Sequence, residues 1–73
     1  MIDKVKTGMN IMQKAKAKGM NQKMLSVELG VDANYVNRWV NGKILPTLHF
    51  MLPLSRILGC SMEELLVESE EDY

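Results

Sequence analysis

The sequence predicts an all-α domain of five helices, and three observations carry that reading. Glycines recur where helices would end, at Gly19, Gly30, Gly42 and Gly59, and glycine closes a helix without a Cβ penalty. Polar residues suited to opening a helix, Asn21, Asp32, Thr47 and Ser61, follow those ends. No stretch alternates apolar and polar residues as a half-buried strand does, and the one Asn-Gly pair, Asn41-Gly42, follows a helical pattern. Residues 1–67 are expected to form one domain, and residues 68–73 an acidic, disordered tail.

The first helix is expected over residues 3 to 18, with Val5, Met9, Met12 and Ala15 as its apolar stripe. Ile11 lies beside that stripe, and Lys14, Lys16 and Lys18 lie mostly off it. Asn21 caps a second helix with Met24, Leu25 and Leu29 inward, and Gly30 stops it. Asp32 caps a third, running to about Asn41, with Val36, Trp39 and Val40 inward. Gly42, Lys43 and Pro46 mark a loop. Thr47 caps a fourth helix whose apolar residues are Leu48, Met51, Leu52, Leu54, Ile57 and Leu58. Pro53 inside it should cost a hydrogen bond or bend it. Ser61-Met62-Glu63-Glu64 is a capping box that opens a short fifth helix through Leu65 and Leu66.

At 73 residues and 47% apolar, the chain has enough for one small core. Seven methionines supply adaptable volume. The single cysteine, Cys60, excludes an internal disulfide and suits a reducing compartment. No apolar run reaches the roughly 20 residues of a membrane span. The opening MIDKVKTG has no apolar segment of a signal peptide. A cytoplasmic location is expected. Net charge is zero but unevenly placed. Residues 1–62 hold all nine Lys and Arg against Asp3, Glu28 and Asp32, while residues 63–73 hold six acids and no base. A basic body is the footprint of a nucleic-acid binder, although a plain solvated surface produces the same distribution.

Catalysis finds no support. Lone His49 has no metal-ligand partners at useful spacing, and no Ser, Cys and His form a nucleophile set. Adjacent Glu63 and Glu64 are explained by helix capping. No enzyme activity, metal, cofactor, small-molecule ligand or membrane association is expected.

The third helix carries the functional signal. Opposite Val36, Trp39 and Val40 it presents Asn34, Asn37, Arg38 and Asn41. Three amides and a guanidinium have no use in a core, and asparagine weakens a helix by competing for backbone hydrogen bonds. They are the groups that read base edges in the DNA major groove. Gly30 permits a left-handed turn before this helix, and Ser26 is small enough for the two helices to close together. Leu25 and Leu29 then meet Val36 and Trp39, which makes a helix-turn-helix unit. A merely solvated face is the competing reading.

Around that unit the chain resembles the Cro/repressor-type, or XRE-like, helix-turn-helix family over about residues 9 to 66. The residues that carry the resemblance are Gly19-Met20-Asn21-Gln22, Leu25, Ser26, Leu29-Gly30-Val31, Val36, Gly42-Lys43 and Pro46. Leu58-Gly59-Cys60-Ser61 and Glu64-Leu65-Leu66 complete it. The resemblance implies a five-helix lambda-repressor-like DNA-binding domain, its third helix in the major groove and its second across the backbone. It implies base contacts from Ala33, Asn34, Asn37 and Arg38. Phosphate contacts are implied for Gln22 at the start of the second helix, with Asn21, Tyr35, Asn41 and Lys43 beside it. The departures are Trp39 for an aliphatic residue, Ser26 for alanine, apolar Ile44 and Leu45 in a usually polar loop, and Pro53.

The expected activity is that of a transcriptional regulator, a repressor binding a double-stranded operator of near two-fold symmetry. So small a domain makes few base contacts, so a homodimer is expected, with Ile44, Leu45, Leu65, Leu66 and Val67 as candidate interface residues. The alternative is a helix-turn-helix protein-interaction module, an antitoxin body or adaptor that reads little DNA sequence.

Overall fold

The structure, a computed structural model, describes residues 1–69. Its helices are α1 (Lys4–Ala17), α2 (Gln22–Leu29), α3 (Ala33–Val40), α4 (Leu48–Leu58) and α5 (Met62–Leu65). Among the described residues the only extended pairing is one antiparallel bridge between Ile2 and Glu68. The architecture is all-α, as the sequence predicts.

Four of the five helices start where a side chain satisfies a free backbone N–H. Asp3 accepts from the Lys6 N–H at 2.9 Å, Asn21 from Met24 at 2.9 Å and Asp32 from Asn34 at 2.8 Å. Ser61 and Glu64 form the expected reciprocal box, at 3.1 and 3.0 Å. Thr47 makes no side-chain cap bond. Gly30 ends α2 in the left-handed conformation, φ 69°, and its N–H turns back to the Ser26 and Val27 carbonyls.

The core consists of Ile11, Ala15, Leu25, Val36, Trp39, Met51, Leu54, Leu58 and Leu65. The buried face of α1 differs from the expected stripe: it is Thr7, Gly8, Ile11 and Ala15, while Val5 and Met9 are exposed. The cause is Gly8. A Cβ there would collide with the Trp39 carbonyl oxygen and come within 3.1 Å of the Val40 carbonyl oxygen. The backbones of α1 and α3 therefore touch, and α1 is rotated to let them. Met24, Leu48 and Leu52, expected inward, are also exposed. Short α2 buries one narrow stripe, Leu25 and Ser26, which leaves Met24 beside it in solvent. α4 runs unbroken through Pro53. The donor that proline lacks would have bonded the carbonyl of His49, an exposed residue, where water can replace it.

The two ends of the described chain are tied to each other. Asp3 N–H donates to Val67 O at 2.7 Å, and Ser69 N–H to Met1 O at 2.7 Å. The buried Thr7 hydroxyl accepts from Val67 N–H at 3.0 Å. Asn10 Nδ2 donates to the Glu64 and Leu65 carbonyls, closing the end of α5. Glu68 and Ser69, assigned to the tail by sequence, thus pair with the amino terminus; the rest of that tail, 70–73, lies outside the described residues. Leu65, expected to face a second subunit, lies wholly in the core and has no surface to offer a partner. No helix among the described residues is long and apolar enough to cross a membrane.

Gly8→Ala is expected to destabilise the fold by about 1–3 kcal/mol, the usual cost of forcing atoms into a filled site, read by chemical denaturation. Glu64 supplies an acid-sensitive contribution. Its carboxyl sits below its ordinary value of 4.5, held there first by the Ser61 backbone N–H, then by the Ser61 side chain, with Lys14 adding attraction. A depressed carboxyl stabilises the fold above its unfolded value and loses that contribution as pH falls through the folded one. The melting temperature of the wild type should therefore approach that of Glu64→Gln as pH drops below about 4.5; a constant gap would remove this role.

Candidate nucleic-acid interface

α3 is eight residues long, too short to be stable alone. It is held by Val36 and Trp39, both without exposed surface. Tyr35 packs edge-on to Trp39 and to Phe50, with ring centroids at 5.0 and 5.5 Å. The Trp39 indole Nε1–H is buried and finds no hydrogen-bond acceptor among the described residues. Trp39 therefore fills the core, and Tyr35, expected at a phosphate, is half-buried in an aromatic cluster. Phe50 escaped the sequence reading, since only the fold brings α4 beside α3.

The opposite face of α3 is open. Ala33, Asn34, Asn37 and Arg38 are all exposed, as is Asn41 at the end of the helix. The left-handed turn at Gly30 and the Asp32 cap set this face beside the start of α2, where Gln22 sits. There the side chains meet. Asn37 Nδ2 donates to Gln22 Oε1 at 3.1 Å, and Asn41 Nδ2 donates to Asn37 Oδ1 at 2.9 Å. The Asn37–Asn41 bond follows from i, i+4 spacing on one helix. The bond to Gln22 was not legible in the sequence, because it depends on how far apart α2 and α3 pack.

The remaining expected contacts flank this row. The Asn21 side chain already accepts from Met24 N–H, and its residue is exposed at the start of α2. Lys43 is exposed, and its backbone N–H bonds the Arg38 carbonyl at 2.9 Å. Gly42 before it has φ 72°, with Val5 Cα only 2.8 Å from where a Cβ would lie. The loop carrying Lys43 is thereby seated on α1. Ile44 packs against the core, and Leu45, Leu66 and Val67 are half-buried. A groove of about 380 Å³ runs beside Gln22, bordered by Met9, Met12, Gln13, Lys16 and Val40. Among the described residues no three His, Cys, Asp or Glu side chains group to hold a metal ion.

Residues 11–65 match the family model described as helix-turn-helix. The chain belongs to the XRE-like helix-turn-helix family. Among solved structures it is similar to the restriction-modification controller protein C.AhdI from Aeromonas hydrophila, with 32% identity and a TM-score of 0.78 over 86% of this chain and 96% of that one. It is similar to a chain of the SinR protein/SinI protein complex at 28% identity and a TM-score of 0.78, over 92% of this chain and 66% of that one. HppE in complex with iron(II) and substrate shares the fold at 22% identity and a TM-score of 0.78, but this chain spans only 37% of it. No curated protein matches the sequence. Family and fold together support a DNA-binding transcriptional regulator.

Proposed function

We propose that this protein is a sequence-specific transcriptional repressor that binds a near-palindromic double-stranded operator as a homodimer. The observation that carries the reading is the division of α3. Val36 and Trp39 are wholly buried, while Ala33, Asn34, Asn37 and Arg38 stand exposed as one polar face. A helix so divided, at the second position of a helix-turn-helix, has the shape and chemistry to enter a major groove. Arg38 suits bidentate donation to guanine O6 and N7, Asn34 and Asn37 suit adenine, and Ala33 suits a thymine methyl. Gln22, Asn21, Asn41 and Lys43 are proposed to seat the phosphate backbone and Tyr35 to support them; such contacts set register and carry no sequence information. The C.AhdI neighbour is described as a controller protein, which supports a regulatory role.

Each subunit would read one half-site, with half-sites about one helical turn apart. Ile44, Leu45, Leu66 and Val67 remain the proposed subunit surface, since each retains exposed area that Leu65 lacks. Repression would follow from occupying promoter DNA, with no cofactor. The alternative, a protein-interaction module, draws on the exposed apolar side chains of Leu48 and Leu52 on α4 and Val27 on α2.

Selection of bound duplexes from a random library, at near-physiological salt, tests the proposal. An enriched two-fold motif is the expected result; no enrichment by the folded protein would favour the interaction module. Arg38→Ala should relax preference at one base pair at a cost of about 1–3 kcal/mol, whereas uniform weakening on every duplex would refute base reading by Arg38. Lys43→Ala should weaken all duplexes alike and lower the salt dependence of binding by about one counterion. A changed base preference would mean that Lys43 reads sequence.

A further inference from the structure

The acidic run over residues 63–73 has no part in the function above, yet the fold decides where it is delivered. Asp3 N–H bonds Val67 O and Ser69 N–H bonds Met1 O, both at 2.7 Å, and Glu68 lies against Ile2. Thr7 and Asn10 fix the approach to this clasp, through Val67 N–H and through the Glu64 and Leu65 carbonyls. The described chain therefore stops beside the start of α1, and Glu70, Glu71 and Asp72 continue from there.

That end of α1 is basic. Lys4 and Lys6 stand exposed in its first turn, which contains no acid. Cations at this place oppose the helix dipole, whose positive end is the amino terminus. Asp3 and Glu68 are the acids beside them, and the Asp3 carboxylate already caps the helix through Lys6 N–H. Exposed Lys43 joins the cluster, because Gly42 rests on Val5, with Val5 Cα 2.8 Å from where a Gly42 Cβ would lie. Among the described residues no side chain pairs with any of the three ammonium groups.

The reach is sufficient. Three extended residues span at most about 11 Å, and paired strands lie about 5 Å apart. Lys4 is three residues beyond Met1, which stands opposite Ser69. Residues 70–72 can thus turn back onto the first turn of α1 with the clasp intact. Each exposed ion pair is weak, but the clasp holds three acids at high local concentration beside three lysines.

We propose that Glu70, Glu71 and Asp72 dock on Lys4, Lys6 and Lys43 and compete with DNA phosphate for them. DNA that seats a phosphate on Lys43 must first displace the acids. The contact lowers affinity for every duplex alike and leaves base preference untouched, because it covers no side chain of the exposed face of α3. The docking stands on the clasp and on charge; its consequence for DNA rests on the DNA-binding function proposed above.

The first measurement needs no DNA. In the full chain at low salt, Glu70→Gln/Glu71→Gln/Asp72→Asn should shift the NMR amide signals of Lys4, Lys6 and Lys43, and added salt should move the wild type towards the variant. Lys43 is far from residue 70 in sequence, so an unmoved Lys43 signal overturns the docking. Shifts that vanish on dilution would put the acids on a second copy and overturn a contact within one chain. Duplex binding reads the consequence. The triple variant, melting near the wild-type temperature, should bind any duplex roughly five- to tenfold more tightly at low salt, with a steeper salt dependence and the same selected motif. Repulsion of DNA by the acids at a distance gives a gain as well, and the same substitutions in a Lys4→Gln/Lys6→Gln background separate the two causes. Docking predicts that the gain there falls to about twofold or less; an undiminished gain overturns the proposal. A folded wild type that binds no duplex overturns the DNA-binding function, while the NMR result still decides the docking.

Discussion

The close approach of α1 and α3 at Gly8 is the constraint on which the rest of the structure depends. With a hydrogen for a side chain, Gly8 lets the first helix rest on the Trp39 and Val40 carbonyls. That contact turns Ile11 and Ala15 into the core and leaves Val5 and Met9 outside it. It also brings the start of α1 against the loop after α3, where Val5 meets Gly42. α3 is therefore clamped along its carboxyl-terminal half by α1 rather than by its own helix propensity.

That clamp explains how α3 can carry so many asparagines. A helix of eight residues with Asn34 and Asn37 in it is weak in isolation. Three features offset the weakness: the Asp32 cap, the complete burial of Val36 and Trp39, and the aromatic cluster of Tyr35, Trp39 and Phe50. All lie on the inward side or at the end of the helix. The outward side is left free for residues chosen for chemistry, and the amide row ties that side to α2. The second half of the molecule, α4 and α5, completes the core and is itself fastened to α1 through Asn10 and Thr7.

Much of this was legible from local patterns. Asn21, Asp32 and the Ser61–Glu64 box were visible as caps because capping involves residues two or three apart, a range that sequence spacing controls directly. The division of α3 into a Val36–Trp39 face and an Asn34–Asn37–Arg38 face was visible because helical periodicity is strict over eight residues. The buried side of α1 was not. Val5 and Met9 look like part of a core stripe until Gly8 is known to touch another backbone, whereas Met12 does pack against the core. Leu65 was misread as surface for a related reason: nothing local says that the last short helix ends inside the core.

The sequence by itself determined the five helices, their starts and stops, and the chemical character of the exposed face of α3, because each rests on residues within one or two helical turns. Only the tertiary structure decided which apolar residues form the core, that Glu68 pairs with Ile2, and that Gln22 reaches Asn37. Those facts join residues far apart in the chain, and they follow from how closely helices approach. Here that closeness is governed by one glycine against one carbonyl.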